Sequence, residues 1–295
     1  MGDFKRELQA HADAVEALLH DVLPKAVGAQ KKLHEAMRYA TLDGGKRMRP
    51  FLVAGGASLF DVPGQRALRV GVAIELIHSY SLIHDDLPAM DDAPTRRGRP
   101  SCHVAFDEAT AVLAGDSLQS LAFEVLADRA THPDPGVRIE LVRMLSIAAG
   151  APGMCGGQMI DLEAETRRLG FEETVVLQRL KTGALFRFAS ESGAVLGGAS
   201  SPEQAALGAY ADDLGLAFQI KDDLLDVQGD PALTGKALGQ DVEAGKATLV
   251  ALLGIDEAER RLSELQGSAL HHLERFGPAA GSLRQLFAFA IGRSH

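Results

Sequence analysis

Apolar residues recur at three- and four-residue steps along most of the chain, which is the period of an amphipathic α-helix. Five long runs follow it: FKRELQAHADAVEALLHDVLP, RALRVGVAIELIHSYSLIHDD, EATAVLAGDSLQSLAFEVLADRA, FEETVVLQRLKTGALFRFASESGAVLGG and SPEQAALGAYADDLGLAFQIKDDLLDV. Alternating β-branched or aromatic runs, which would indicate strands, are nearly absent. The pattern predicts an all-α protein of roughly ten or more helices.

Three of these runs carry only one or two charges through their middles, as expected of helices that are buried on most sides. No Pro-, Ser- or Gly-rich linker and no convincing internal repeat divides the 295 residues. A single domain over residues 1–295 is therefore expected.

The charge balance narrows the class of partner. The chain has 30 Lys and Arg against 40 Asp and Glu, a net charge of −10, which argues against nucleic acid. Cys102 and Cys155 suggest neither a disulfide framework nor a ligand pair, so a reducing cytoplasm fits. The N-terminal run mixes acids and bases, unlike a signal peptide. No uncharged stretch is long and unbroken enough to predict a membrane span.

Four carboxylates crowd the stretch SLIHDDLPAMDD, directly after an apolar run. Pro88 predicts that this helix ends near Asp86. A helix C-terminus carries partial negative charge, so Asp85 and Asp86 are unfavourable there without a positive partner. Asp91 and Asp92 follow within the next turn of chain.

A second acidic cluster lies in FQIKDDLLDV, where Asp222 and Asp226 share a helix face and Asp223 stands beside them. One such cluster could simply be a solvated surface. Two matched clusters on buried helices favour metal binding, and carboxylates without His or Cys select Mg²⁺, with Mn²⁺ as a possible substitute. Because Mg²⁺ held by carboxylates commonly takes phosphate oxygens as well, a polyanionic substrate is predicted.

Cations lie in glycine-punctuated breaks beside the buried helices. Each of them alone is more typical of a charged surface, but their placement favours anion binding. They are Lys46, Arg47 and Arg49 in LDGGKRMRPFL, Arg96 and Arg97 in TRRGRPSCH, Lys181 in KTGAL, Lys236 in TGK and Lys246 in GKAT. His78 and His84 lie on an apolar helix, where a core histidine is the default interpretation.

The order GGKRMRP, DDLPAMDD, RRGRP, GQMIDL, KTGAL, FQIKDDLLD, GK and GKAT resembles the trans-isoprenyl diphosphate synthase family, and within it the bacterial farnesyl type. The likeness runs from about Leu33 to the C-terminal tail. It implies the all-α isoprenoid synthase fold, with helices around a deep central cavity, and a homodimer. It also implies condensation of isopentenyl diphosphate with dimethylallyl or geranyl diphosphate and release of pyrophosphate.

The resemblance assigns roles to residues that match the family motifs. Metal would be held by Asp85, Asp86 and Asp91 on one side and by Asp222, Asp223 and Asp226 on the other, with Asp92 as a less certain helper. The allylic diphosphate would be bound by Arg96, Lys181 and Lys236, with Lys246 nearby. Isopentenyl diphosphate would be held without metal by Gly45, Lys46, Arg49, His78 and Arg97. The allylic cation would be stabilised by Thr182, Gln219 and the carbonyl of Lys181.

Product length should depend on side chains one to two turns before Asp85, each turn being about 5.4 Å. Ser81 leaves room, Ile77 lies deeper, and Tyr80 can act as a partial floor, as in members that make the C15 product. The alternative is that Tyr80 only packs in the core. Three departures from the family pattern leave metal and substrate affinity open, namely Ala93-Pro94, Lys221 and Ala247.

Other functions would leave a different pattern in the sequence or share this one. A terpene cyclase would carry a different second metal motif and more aromatic residues, whereas this chain has no Trp and three Tyr. A geranylgeranyl or geranyl diphosphate synthase would share every motif. A non-catalytic regulatory subunit would be expected to have lost aspartates, and both clusters are intact.

Overall fold

The computed structural model describes residues 2–228 and 248–293, and the regular secondary structure of this part of the chain is almost entirely helical, which confirms the all-α prediction. The first half contains α1 (Gly2–Val22), α2 (Lys31–Thr41), α3 (Met48–Ser58), α4 (Gly64–Asp85), α5 (Cys102–Ala105), α6 (Glu108–Ala127) and α7 (Pro135–Ala149). The second half contains α8 (Met154–Ala164), α9 (Phe171–Gln178), α10 (Ala184–Leu196), α11 (Ser201–Gln228), α12 (Leu249–Leu253), α13 (Ile255–His272) and α14 (Gly281–Ile291). A 3₁₀ segment, Glu274–Ala280, precedes α14.

The strands in residues 2–228 and 248–293 amount to one small hairpin, in which β1 (Thr95–Arg96) pairs with β2 (Arg99–Pro100). The two residues between them, Arg97 and Gly98, both have positive φ, as in the tight turns that suit a two-residue hairpin. This hairpin follows α4 closely and places Arg96 next to the first acidic cluster.

Helix α4 forms the centre of the core and packs against α3, α6 and α10. Val72, Ile74, Leu76 and Ile77 are fully buried, as the weakly charged run predicted. Burying one such side chain contributes about 1.5–3 kcal/mol relative to leaving it in water. The apolar sequence therefore holds the end of α4, and with it the acidic cluster, in a fixed place.

Helices α3 and α10 cross at very short range. A Cβ at Gly193 would lie 2.3 Å from the backbone nitrogen of Ala57, which is closer than real Cβ atoms come to another backbone. Only glycine therefore permits this crossing, which anchors the C-terminal end of α3 against α10.

The run from Phe171 to Gly198 is predicted as one helix, but the structure divides it. Between α9 and α10 lies a five-residue π-helical turn, Arg179–Gly183. Amphipathic period does not reveal this change, because a single π turn adds one residue without interrupting the helix. Such turns are frequent at functional sites. None of the helices within the two described ranges is both long and apolar enough to cross a membrane.

Candidate active site

A cavity of about 440 Å³ lies between α4, α8 and the π turn. It gathers predicted residues from distant parts of the sequence. Its walls include Arg49, His78, Tyr80, Ser81, Asp85, Lys181 and Thr182. Ile77 is fully buried in α4 and is not among the residues that line this cavity.

The end of α4 carries the first acidic cluster, as predicted. The helix ends at Asp85 and Asp86 is its C-cap. The chain then folds back over the helix end, because the backbone N–H of Asp91 donates to the carbonyl of Asp85 (2.9 Å) and that of Ala93 to the carbonyl of Asp86 (3.2 Å). These bonds satisfy carbonyls that a helix end otherwise leaves without partners.

Arg96 is the positive partner that makes Asp86 tolerable at this position. Asp86 is buried, and the Nε of Arg96 lies 3.0 Å from its Oδ1 and 3.2 Å from its Oδ2. Charge-assisted bonds of this forked kind are stronger than neutral ones. Two residues predicted for different roles, metal binding and diphosphate binding, are thus paired with each other.

Asp85 has a less complete set of partners. Burial raises the pKa of Asp85 to about 6, which Lys181 partly opposes and the neighbouring Asp91 reinforces. A carboxylate in this environment favours a cation close by.

Lys181 lies in the π turn, where α8 approaches so closely that a Cβ at Gly157 would be 2.2 Å from the backbone nitrogen of Lys181. Its ammonium donates to Asp161 of α8. Although burial lowers the pKa of Lys181, the pairing with Asp161 and the nearby Asp85 raise it overall, so the side chain stays charged.

Thr182 connects the cavity to the second acidic cluster. Its hydroxyl donates to the Oε1 of Gln219 (3.4 Å), and the Nε2 of Gln219 donates to the Oδ1 of Asp223 (3.4 Å). Asp223 is buried, and its Oδ2 accepts from the backbone N–H of Leu249 at the start of α12 (2.8 Å). The three predicted residues Thr182, Gln219 and Asp223 therefore form one hydrogen-bonded row.

Asp222 is joined to the C-terminal end of the described chain. Arg293 lies 2.9 Å from the Oδ1 of Asp222 and its guanidinium stacks on the ring of Phe218 at 3.7 Å. Asp226, four residues further along α11, is half-buried. The second cluster thus stays on one helix, as the spacing predicted.

The predicted isopentenyl diphosphate residues lie at the loop between α2 and α3. The guanidinium of Arg97 covers the glycines there, since a Cβ at Gly44 would be 2.3 Å from its Nη1 and one at Gly45 would be 3.0 Å from its Nη2. Burial lowers the pKa of Lys46, and the nearby Arg293 lowers it further.

Arg49 and His78 line the cavity beside this loop. The Arg49 guanidinium lies 4.9 Å from the centre of the Phe186 ring, and its Nε is buried with no hydrogen-bond partner. A buried donor without a partner is costly, which favours an anion here. Burial, with Arg49 and Arg97 nearby, holds the pKa of His78 well below its usual range, so the imidazole is neutral.

Tyr80 and Ser81 both contribute to the cavity wall. The Tyr80 hydroxyl lies 3.6 Å from the Sγ of Cys155 on α8, and the Ser81 hydroxyl donates to the carbonyl of His78. His84, expected as a core histidine, also lines the cavity, with its Nε2 3.1 Å from the carbonyl oxygen of Val112.

Several residues in and around the site are absent from the sequence-based assignment. Asp161 pairs with Lys181, Cys155 faces Tyr80, and Gln158 lines the cavity with both of its buried amide atoms lacking a hydrogen-bond partner. The motif GQMIDL contains Gln158 and Asp161 and could have indicated them. No sequence signal indicates Cys155.

The donor set fits a hard divalent cation, because both clusters offer carboxylate oxygens, with Asp86 and Asp223 buried and Asp85 half-buried. Among residues 2–228 and 248–293, no three His, Cys, Asp or Glu side chains are already close enough together to hold an ion. Lys236, Lys246 and Ala247 lie outside the described residues.

Comparison with known proteins identifies the family. The polyprenyl synthetase family profile matches residues 30–276. A farnesyl diphosphate synthase from Haemophilus influenzae is 42% identical over 99% of this chain and 99% of its own, and one from Escherichia coli is 42% identical over 98% and 97%. The crystal structure of an FPP/GFPP synthase from Zymomonas mobilis matches with a TM-score of 0.89 and 46% identity, covering 98% of this chain and 99% of that one.

These matches extend over nearly the whole chain and agree with the motif order and the cavity. The chain belongs to the polyprenyl synthetase family.

Proposed function

We propose that this chain is a prenyltransferase that condenses isopentenyl diphosphate with dimethylallyl diphosphate and then geranyl diphosphate, giving mainly farnesyl diphosphate and pyrophosphate. The observation that carries this is a single cavity wall that combines Asp85 and Lys181 with Tyr80. Charged groups suit a diphosphate, and the aromatic side chain, more than one helical turn away on α4, suits the end of a hydrocarbon tail. Relatives that align with this chain over nearly their whole length bear the name farnesyl diphosphate synthase.

At the charged end, the allylic diphosphate would lie against Arg96 and Lys181, with Lys236 and Lys246 as further ligands outside the described residues. Mg²⁺, or Mn²⁺ in its place, would be held by Asp85, Asp86 and Asp91 and by Asp222, Asp223 and Asp226, with Asp92 as a helper, and would stabilise the charge of the departing diphosphate. Ion pairs with Asp86 and Asp161 hold the side chains of Arg96 and Lys181, respectively, in place before substrate arrives.

Isopentenyl diphosphate, which must keep its diphosphate, would bind Gly45, Lys46, Arg49, His78 and Arg97. Arg49 supports this role best, because its buried Nε lacks a partner in the free protein. His78 is neutral and would contribute a hydrogen bond rather than a charge.

The reaction breaks the allylic C–O bond, forms a C–C bond from the double bond of isopentenyl diphosphate and then loses a proton. Thr182, Gln219 and the carbonyl of Lys181 would stabilise the allylic cation with dipoles. The π turn supports this, because the wider turn disrupts the regular hydrogen bonds that helical carbonyls make. The proton would leave on the released pyrophosphate, so the proposal needs no dedicated protein base.

The single domain, the homodimer and the cytoplasmic location also remain proposals. Val104 on α5 and Leu113 on α6 are 53% and 55% exposed, and exposed large apolar side chains support a subunit interface. Cys102 and Cys155 are both free thiols, which supports a reducing compartment. The proposed partners are small diphosphates, and not nucleic acid.

The test is to incubate the purified chain with Mg²⁺, isopentenyl diphosphate and either dimethylallyl or geranyl diphosphate, and to size the alcohols by mass spectrometry after phosphatase treatment. Farnesol as the main product supports the proposal. Geranylgeraniol keeps the chemistry and moves the floor of the cavity deeper, and geraniol moves it higher. A folded protein that condenses no starter would contradict the proposal and favour the regulatory subunit.

A further inference from the structure

One buried guanidinium joins four helices at the base of the loop between α2 and α3. Arg47 is only 3% exposed. It donates to Glu75 of α4 (2.5 Å), to Glu16 of α1 (2.6 Å) and to the carbonyl of Thr41, the last residue of α2 (2.7 Å), while itself being the N-cap of α3. Because Arg47 is buried on all sides, it cannot itself reach a substrate in the cavity.

These contacts close the loop 42–46 from both ends. Thr41 precedes the loop and Arg47 follows it, so their hydrogen bond ties the entrance to the exit. Glu16 holds the middle as well, because its other oxygen accepts from the backbone N–H of Asp43 (2.8 Å). Asp43 and Arg47 both have positive φ, 59° and 47°, a conformation that non-glycine residues adopt only when their surroundings hold them there.

The same hydrogen bonds of Arg47 also affect the charged side chains next to the loop. Glu75 is 2% exposed and lies one turn before His78 on α4, on the side of the helix where Arg49 and Arg97 also feel its charge. An unpaired carboxylate at this place would attract those two guanidiniums away from an incoming diphosphate. Arg47 satisfies Glu75 instead and leaves the Nε of Arg49 without a protein partner.

We propose that Arg47, held by Glu75 and Glu16, is a positioning residue that fixes the shape of loop 42–46 and keeps Arg49 available for the diphosphate of isopentenyl diphosphate. This inference rests on the proposed function, and it adds residues that do not touch substrate. A loop fixed before binding loses less conformational entropy when the ligand arrives, so the effect should fall on one of the two substrates only.

The test replaces both members of the buried pair at once, Arg47→Met with Glu75→Met, because removing both charges is far better tolerated than removing one. The double variant should raise KM for isopentenyl diphosphate about tenfold or more while KM for geranyl diphosphate changes less than about twofold. Arg69→Met is the matched control. Arg69 lies on α4, as Glu75 does, but it donates to Thr131, away from the loop.

A double variant with wild-type unfolding temperature and wild-type KM for isopentenyl diphosphate would overturn the proposal, as would an equal rise in both KM values. If the double variant does not fold, Arg47→Lys replaces it, because lysine keeps the charge but offers one nitrogen in place of the two, Nη1 and Nη2, that make the three contacts. Unchanged KM for isopentenyl diphosphate in that variant would also overturn the proposal.

Titration calorimetry with inorganic pyrophosphate in EDTA separates this proposal from the proposed function. Without metal, the probe tests the metal-free anion site directly, and Arg47→Lys should bind it more weakly than wild type does. Equal affinity overturns the positioning role. A wild-type protein that binds the probe but performs no condensation overturns the function while leaving this comparison valid.

Discussion

The hydroxyl of Tyr80 on α4 meets the thiol of Cys155 on α8, 3.6 Å apart, at the wall of the cavity. The ring of Tyr80 also packs edge-on against His84, with 5.6 Å between the two ring centres. Burial, together with the hydrogen bond to Cys155, raises the pKa of Tyr80 well above its usual range, so the phenol stays protonated. A bulky neutral side chain therefore faces the space proposed for the growing tail.

Tyr80→Ala should lengthen the main product by at least one isoprene unit, because it removes the ring from the cavity wall. The alcohols would be sized by mass spectrometry as for the wild type. Tyr80→Phe is the matched control, as it keeps the ring and should keep the product. An unchanged product from Tyr80→Ala would return Tyr80 to a purely structural role in the core.

Cys155→Phe should shorten the product towards geranyl diphosphate, because a ring on α8 would fill the space opposite Tyr80. Cys155→Ser has nearly the same size as wild type and should leave the product length unchanged. If the serine variant shifted the product as much as phenylalanine did, then the polarity of this position rather than its volume would matter.

Asp85→Ala should lower kcat by about 10³-fold or more, since it removes a carboxylate from the proposed metal site. The unfolding temperature should not fall, because partial burial raises the pKa of Asp85 and makes its charge unfavourable in the folded protein. Asp116→Ala, at an exposed aspartate on α6, serves as the control. Activity near the wild-type level at saturating Mg²⁺ would contradict the assignment of Asp85.

Two glycine substitutions should have opposite effects on stability. Gly193→Ala forces a Cβ against the backbone of α3 and should lower the free energy of unfolding by about 1–3 kcal/mol. Gly267→Ala adds a methyl group on an exposed part of α13 with nothing within 4 Å, and should raise the free energy of unfolding by about 0.5–1 kcal/mol. Urea unfolding measures both, and equal signs would contradict the proposed tight crossing of α3 and α10.

Low pH should remove part of the stability that the N-cap residue Asp107 gives to the start of α6. Lys32, together with the backbone N–H and the hydroxyl of Thr110, lowers the pKa of Asp107 to about 2, against about 3.9 in an unfolded chain. The stabilisation is therefore complete above about pH 4 and disappears as the pH falls through about 2. Asp107→Asn keeps a capping side chain but loses the charge, so its unfolding temperature should lie below that of wild type at pH 7.

That difference should shrink steadily between pH 4 and pH 2 in thermal unfolding. Lys32→Met keeps both bonds to Thr110 and should lose only part of the same stability. A difference between Asp107→Asn and wild type that stays constant down to pH 2 would mean that the charge of Asp107 contributes nothing.

The sequence was informative where a pattern is local. The period of the apolar residues predicted the helices, and Pro88 predicted the end of α4 near Asp86. The four-residue spacing of Asp222 and Asp226 placed them on one helix face. It was less informative about which side chains meet. Arg96 with Asp86, Lys181 with Asp161 and Arg47 with Glu75 are pairs that only the packing of different elements brings together.

The differences between expectation and structure have the same origin. Ile77 lies on α4 at a spacing compatible with the cavity, but neighbouring helices cover it completely. The π turn at Lys181 lies where α8 approaches closely at Gly157, a contact that no single segment reveals. The residues proposed to touch the substrate thus follow from motifs, whereas the residues that hold them in place require the three-dimensional arrangement.

Helix α4 carries both the carboxylate proposed for the reaction centre, Asp85, and the side chain proposed to limit the tail, Tyr80. The two are five residues apart, about 7.5 Å along the axis of a helix whose core-facing side is fully packed. The helix geometry therefore fixes the distance between the proposed reaction centre and the side chain proposed to limit the tail. A substitution at one position of α4 is then enough to change the product length, while the residues proposed for the reaction at the end of the helix stay where they are.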